Sequence, residues 1–193
     1  MKTVSVRALL VAIVVIAALV SIGIHVRRRF IVDVLPSRPT GSADPTAKDL
    51  ASEFHTVLPN SEKQHLLDGD FKVITNTAEL PPFIRNAFAT ITGDRPFALA
   101  DPGTKYQRTD VIYEQGLAHR RLVLGGVRKN RWFIHYKHGG IGVSYAVMIL
   151  DAGPDNSVKF VWGGTGLQPA KNLDALRNAI ALGTFTDNYV FYW

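Results

Sequence analysis

The sequence predicts an α+β fold: an N-terminal transmembrane helix, then one domain built of an antiparallel sheet meander and two to three packed helices. Three observations lead to this prediction. An uncharged apolar run comes first, several later stretches carry apolar residues at helical spacing, and most of the remaining chain is rich in β-branched and aromatic residues. The predicted segments are a short flank at 1–7, the transmembrane helix at 8–26, a basic flank and tether at 27–46, and the single domain at 47–193.

The transmembrane helix is predicted from residues 8–24, which read ALLVAIVVIAALVSIGI and carry no charge. A helix of this length spans about 26 Å, and Val26 with snorkelling arginines can extend it to the thickness of a bilayer. A cleaved signal peptide is the alternative, because Ser21 and Gly23 are small enough for a peptidase site. The arginines at 27–29 would then begin the exported chain, which disfavours cleavage.

We expect the protein in a membrane as a single-pass chain, with its domain on the extracytoplasmic side. The basic residues on the two sides of the helix balance each other, so charge does not set the orientation. The expectation follows from the way short N-terminal anchors commonly insert. Residues 35–46, LPSRPTGSADPT, then form a tether that separates the domain from the bilayer.

The net charge of +6 is concentrated beside the predicted anchor. From residue 30 onward the chain has 17 Lys and Arg against 16 Asp and Glu, so the domain lacks the overall basicity typical of a nucleic-acid binder, and we expect no nucleic-acid partner. The chain has no cysteine, which excludes disulfides, thiolate metal sites and cysteine nucleophiles. We expect no cofactor.

The domain is predicted to run helix, strand, helix, meander, helix, strand, with its helices on one face of the sheet. The predicted helices cover 47–58, Pro81 to Gly93, and 172–182, the last capped by Asn172 and ended by Gly183. A loop is expected at 94–106. The predicted strands cover 71–75, 108–114, 120–127, 131–138, 141–150, 157–162 and 189–193.

A two-residue hairpin turn is predicted at Gly139-Gly140, since a Gly-Gly pair suits the positive φ of such turns. This register places six apolar or aromatic residues on one buried face: Trp132, Ile134, Tyr136, Val143, Tyr145 and Val147. It also places His135 opposite Ser144.

Histidine and serine side chains supply the candidate catalytic residues His135, His138 and Ser144. A cross-strand serine and imidazole suit nucleophilic chemistry, but no nearby residue supplies the orienting acid. A hydrolase that uses His135 and His138 would need acids from elsewhere in the chain, such as Asp101 or Asp110. We expect no metal site, because residues three apart on a strand point to opposite faces and no acid lies between 115 and 150.

A glycine-rich run at 163–166, GGTG, resembles a phosphate cradle because it follows a predicted strand and precedes a helix. It matches neither the Walker pattern nor G-x-G-x-x-G, and Pro169 interrupts the approach to the helix. A connection between strand and helix is the favoured interpretation.

Six basic residues and no acid lie between 115 and 150. We predict that they bind an anionic lipid surface or an acidic protein surface; solvated strand edges are the alternative. They are Arg120, Arg121, Arg128, Lys129, Arg131 and Lys137.

Three functions follow from these patterns. The first is a non-enzymatic, membrane-anchored binding module that uses the basic residues. The second is a membrane-tethered hydrolase that uses His135 and His138. The third is an accessory subunit of a membrane complex, whose anchor packs on other helices through small residues such as Ala17 and Gly23.

The anchor predicts how the protein fractionates. It should stay with membranes through high salt and alkaline wash and dissolve in detergent, because about seventeen apolar residues hold it in the bilayer. Mass spectrometry of the wash supernatant provides the check: a soluble species that begins near Ile24 would identify residues 8–24 as a signal peptide instead.

Overall fold

The computed structural model describes residues 56–109, 111–140 and 142–187. The predicted anchor, the tether, most of the helix at 47–58, Asp110 and the strand at 189–193 lie outside these residues. Among the helices that the structure describes, none is long and apolar enough to cross a bilayer. The described residues belong to the compact unit at 45–193, and those of them that are buried in its two cores lie between 66 and 185.

The domain is an α+β fold built on one antiparallel sheet. Six strands pair in chain order, β1 to β6, so each strand lies beside its neighbour in sequence. Their bounds are β1 Lys72–Ile74, β2 Arg120–Arg128, β3 Arg131–His138, β4 Ser144–Ala152, β5 Val158–Gly166 and β6 Thr186–Asp187.

In the part of the chain that the structure describes, three α-helices accompany the sheet: α1 Asn60–Lys63, α2 Pro82–Thr92 and α3 Leu173–Ala181. Local signals set their ends. Gly93 ends α2 in the left-handed region, at φ +70°, where glycine meets no steric penalty. The Asn172 side chain accepts a hydrogen bond from the backbone N–H of Ala175 at 2.8 Å and so caps α3.

The helices cover both faces of the sheet, and the prediction of one covered face is wrong. Ile84, Phe88 and Ile91 of α2 pack on one face, against Ile134, Tyr136 and Met148 among others. On the opposite face, Leu176 and Ile180 of α3 pack against Phe133, Val147 and Ile149. Alternate residues of β3 and β4 therefore enter two different cores, hereafter the α2 core and the α3 core.

The register between β3 and β4 differs from the prediction by an odd number of residues. His138 lies opposite Ser144 and His135 opposite Val147, because a five-residue loop at 139–143 replaces the two-residue turn. Val147 and Tyr145 consequently face the α3 core rather than joining Ile134. Val143, predicted to be buried, is 43% exposed.

Close backbone approach explains the glycine at 139. A Cβ atom there would lie 2.0 Å from the Gln107 carbonyl oxygen, so no larger residue fits without moving the backbone. The Gly139 N–H donates to His119 O at 3.1 Å, and the Gly140 N–H donates to Arg108 O at 3.3 Å. The glycines thus let segment 106–108 pack against the hairpin loop.

Two other segments differ from their predictions. Residues 108–114 form an irregular loop rather than a strand in the parts that the structure describes. Residues 163–166 continue β5 and pair with β4, so they are neither a connection nor a phosphate cradle. An added Cβ at Gly164 would lie 2.6 Å from the Trp162 ring, which occupies the space beside the strand.

The last described strand is held to α1 by a buried ion pair. Lys63 Nζ lies 2.6 Å from Asp187 Oδ2, and both side chains are less than one-fifth exposed. The Trp162 indole N–H donates to the other carboxylate oxygen of Asp187. The ion pair satisfies the charge of Lys63, which is 5% exposed and would otherwise be costly to bury, and the indole bond satisfies the second oxygen of the carboxylate.

Truncation of Phe88 should show how much the α2 core contributes. Phe88→Ala should lower the free energy of unfolding of residues 45–193 by about 3–5 kcal/mol, because the ring is fully buried against Phe97 and Tyr136. Leu167→Ala, at a side chain 79% exposed, is the control and should change it by about 0.5 kcal/mol or less. Denaturant titration measures both, and a Phe88 loss as small as the control's would contradict the packing.

Candidate functional site

His135 is fully buried between β3, β4 and the segment before α3. Its Nδ1 atom lies 2.8 Å from the Ala146 carbonyl oxygen, to which it donates, and its Nε2 atom accepts from the Ala170 N–H at 3.2 Å. The ring also meets Phe185 edge to face at 5.6 Å. Both nitrogens are engaged by backbone groups, so the imidazole is held in one neutral tautomer.

The surroundings of His135 favour its uncharged form. Burial lowers its pKa from 6.5 to about 4, and the hydrogen bond to Ala146 only partly opposes this shift. The residue therefore connects three segments rather than presenting a base to solvent.

The other two catalytic candidates lie at the end of the β3–β4 hairpin. Ser144 is opposite His138, and both are partly buried. The predicted pairing of Ser144 with His135 is wrong, because the register shift moves the serine to the end of the strands. Asp101 instead joins its loop to the segment before α2, since its carboxylate accepts from the Thr77 N–H at 2.6 Å.

Arg120 is 1% exposed, although the sequence predicts it at a binding surface. Its guanidinium forms an ion pair with Asp94 and donates to Thr92 O at 3.4 Å, so it fastens β2 to the end of α2. Burial raises the pKa of the neighbouring Tyr136 phenol, and the Arg120 charge opposes the shift. Arg120 is thus part of the interior.

Arg128, Lys129 and Arg131 surround the turn between β2 and β3. Arg131 makes a two-point ion pair with Asp151, at 2.9 and 2.8 Å, and the Asp151 carboxylate raises its pKa. Arg128 and Lys129 are exposed. A small cleft of about 220 Å³ adjoins this turn, and it includes the acids Asp68 and Asp151 as well as the basic residues.

Arg121 and Lys137 lie at the opposite end of the same strands. They are cross-strand partners. Arg128 follows Arg121 by seven positions along β2, which corresponds to about 23 Å at strand spacing. The six predicted binding residues therefore form two separate groups and one buried residue.

Arg121 and Lys137 lie in a cleft of about 580 Å³, which is larger than the cleft at the β2–β3 turn. Arg121 Cζ lies 4.6 Å from the ring centroid of Tyr106, and Lys137 Nζ lies 5.8 Å from the same centroid. Both cations therefore lie within 6 Å of the same aromatic ring, and both residues remain partly accessible to solvent. Tyr106 Oη is buried and has no hydrogen-bond partner among the described residues.

The remaining cleft residues come from segment 103–114. Lys105 and Arg108 are exposed and line the cleft, and Glu114 forms an ion pair with Lys105. The charged lining is four cations and one anion. Such a concave, cationic site suits a phosphate or carboxylate group.

Gln107 shapes the loop beside the cleft. Its side chain is 2% exposed; the amide donates to the carbonyl oxygens of Thr109, at 2.5 Å, and Ile112, and the amide oxygen accepts from the Glu114 N–H at 3.0 Å. One buried amide thus satisfies three backbone groups of the loop. Sequence reasoning missed Gln107, Tyr106, Lys105 and Arg108 because the aromatic and β-branched run at 111–113 reads as a strand.

Metal-ligand geometry is absent from the described part of the chain, where no three His, Asp or Glu side chains are grouped closely enough to hold an ion. Asp110 lies outside that part of the chain. The absence of a metal site stays a prediction for the chain as a whole.

The buried imidazole predicts a loss of stability in acid. The pKa of His135 is about 4 folded and 6.5 unfolded, so stability present above pH 6.5 should fall as pH drops towards 4. By about pH 4.5 this residue should cost the fold about 2–3 kcal/mol. His135→Gln keeps a donor and an acceptor but does not titrate. Between pH 7 and pH 4.5, the unfolding free energy of this variant should therefore fall by about 2–3 kcal/mol less than that of wild type. Identical pH dependence in the two proteins would contradict the assignment.

Comparison with known proteins adds no functional assignment. The chain matches no protein-family model, no curated protein and no solved structure. Its function has to be inferred from the contacts, exposure and charge of its own residues.

Proposed function

We propose that this chain is a single-pass, membrane-tethered binding module without enzymatic activity, and that its basic cleft takes the phosphate of anionic lipid headgroups. The observation that carries the proposal is the pair of cations, Arg121 and Lys137, held over the Tyr106 ring in an open cleft. Cations positioned in this way bind an anion without first paying the conformational entropy of ordering long side chains.

The cleft favours a small anionic group over a broad acidic surface. It is concave, and its cations converge from two strands and one loop. The exposed cations Arg128 and Lys129 lie at the far end of the strands, about 23 Å from Arg121 at strand spacing, which is too far to contact the same phosphate group. A phosphate accepts hydrogen bonds from several directions at once, which suits convergent donors.

The predicted anchor supports the choice of a lipid ligand. A domain confined near a bilayer by a short tether meets headgroups at high effective concentration. Each basic residue near an anionic leaflet contributes about 1 kcal/mol, so Arg108, Arg121 and Lys137 together supply about 3 kcal/mol. That is weak for a free domain and sufficient for a tethered one. Salt should weaken the interaction, because exposed charges are screened beyond about 10 Å at 0.1 M ionic strength.

The hydrolase alternative draws no support from His135, because both of its ring nitrogens are bonded to backbone groups in the interior. His138 and Ser144 are neighbours, but a nucleophile also needs an orienting acid; Asp101 is bonded to Thr77, and Asp110 lies outside the described residues. The accessory-subunit alternative rests on the anchor helix, whose residues lie outside the described part of the chain. Neither has an observation in its favour comparable to the cleft.

Sedimentation with vesicles tests the proposal on residues 45–193, at about 10 mM lipid, because about 3 kcal/mol corresponds to a dissociation constant of about 6 mM for the untethered domain. Wild type should sediment with phosphatidylglycerol vesicles and not with phosphatidylcholine vesicles. Arg121→Gln with Lys137→Gln removes about 2 kcal/mol of attraction and should weaken binding about thirtyfold.

Arg128→Gln with Lys129→Gln is the matched control, because it removes the same charge at the other end of the strands. It should bind nearly as well as wild type. Equal losses in the two double variants would show that only net charge matters and would overturn the cleft as the site. Binding that ignores salt would do the same.

A further inference from the structure

Three consecutive apolar residues are exposed at the edge of the basic cleft. Val111 is 90% exposed, Ile112 67% and Tyr113 66%. Single exposed apolar residues are ordinary on a protein surface, but a contiguous run at one loop is typical of a contact site. Here it belongs to the loop that follows Gln107, hereafter the apolar loop, residues 109–114.

Hydrogen bonds fix the backbone of this loop in a conformation that exposes the three side chains to solvent. The buried Gln107 amide bonds to the backbone at both ends of the apolar loop, and the Val111 N–H donates to Thr109 Oγ1 at 3.1 Å. A loop without a role could bury its apolar side chains by relaxing against the domain. The internal bonds instead keep the run projecting.

Ile112 also lines the cleft that contains Arg121, Lys137 and Arg108. An apolar loop beside a cationic cleft is complementary to a bilayer interface. The acyl chains can contact the apolar side chains while the lipid phosphates contact the cations. Tyrosine is among the residues that favour the headgroup level, because its ring is apolar and its hydroxyl is polar.

We propose that Val111, Ile112 and Tyr113 insert into the headgroup and upper acyl region of an anionic bilayer, next to the headgroup held in the cleft. This proposal rests on the proposed function and extends it from electrostatic contact to insertion. Asp110 and Glu114 add negative charge to the apolar loop, but the cleft and loop together keep a charge of +2 and Glu114 is already paired with Lys105. Insertion should therefore require an anionic bilayer.

The absence of cysteine from the chain allows one site at a time to be labelled. Ile112→Cys carrying the environment-sensitive dye NBD should be studied in the full chain, reconstituted into phosphatidylcholine vesicles with and without phosphatidylglycerol. With phosphatidylglycerol, NBD emission should shift to shorter wavelength, grow in intensity and be quenched by doxyl lipids. The control Leu167→Cys, at a position 79% exposed outside the loop, should keep water-like emission.

Substitution gives a second readout on residues 45–193. Val111→Ser with Ile112→Ser should weaken phosphatidylglycerol binding about tenfold or more, because burying an aliphatic side chain is strongly favourable. Val57→Ser with Leu167→Ser removes two aliphatic side chains that are equally exposed elsewhere and should have no such effect. The Gln107 side-chain amide donates to the backbone oxygen of Ile112, and this hydrogen bond does not depend on the Ile112 side chain, so the loop should keep its shape.

The outcomes separate the two proposals. Cleft-dependent binding without any change at the labelled residue 112 would overturn insertion and leave the proposed function standing. No association with phosphatidylglycerol in wild type would overturn both. An emission shift that appears without phosphatidylglycerol and grows with protein density would assign the apolar loop to contacts between copies of the chain and overturn insertion.

Discussion

Burial of β3 and β4 on both faces is the constraint from which the rest of the domain follows. Their side chains alternate between the α2 core and the α3 core, so a helix must cover each face. The His135 imidazole, in the fully buried part of β3, is tolerated because backbone groups of Ala146 and Ala170 occupy both of its nitrogens. Those bonds also place the segment before α3 against the sheet, which aligns the helix that completes the second core.

The candidate site arises where this central hairpin ends. Since β3 and β4 separate into a five-residue loop, their ends leave room for segment 106–108, which packs on Gly139 so closely that only glycine fits. Tyr106 then lies beneath Arg121 and Lys137, and Gln107 supports the loop that carries the exposed apolar run. The end of the sheet thus positions cations and apolar side chains together, which the proposed contact with a bilayer requires.

Strand geometry also decides which of the basic residues can act together. Neighbouring residues of β2 point to opposite faces, so Arg120 enters the interior to meet Asp94 while Arg121 reaches the cleft. The length of β2 separates Arg121 from Arg128, and Arg131 is neutralised by Asp151. A run of like charge in sequence is therefore distributed into a buried ion pair, a cleft and a turn.

The sequence by itself determined the α+β class, the meander order and the ends of α2 and α3, because a glycine in the left-handed region and an asparagine cap act within one helical turn. It predicted the bounds of β3, and it predicted Arg121 and Lys137 as binding residues without showing that they meet. Only the tertiary structure decided the hairpin register, the burial of Arg120 and the irregular loop near Gln107. Each of these depends on contacts between residues far apart in the chain, such as Gln107 with Gly139, and local pattern carries no information about such contacts.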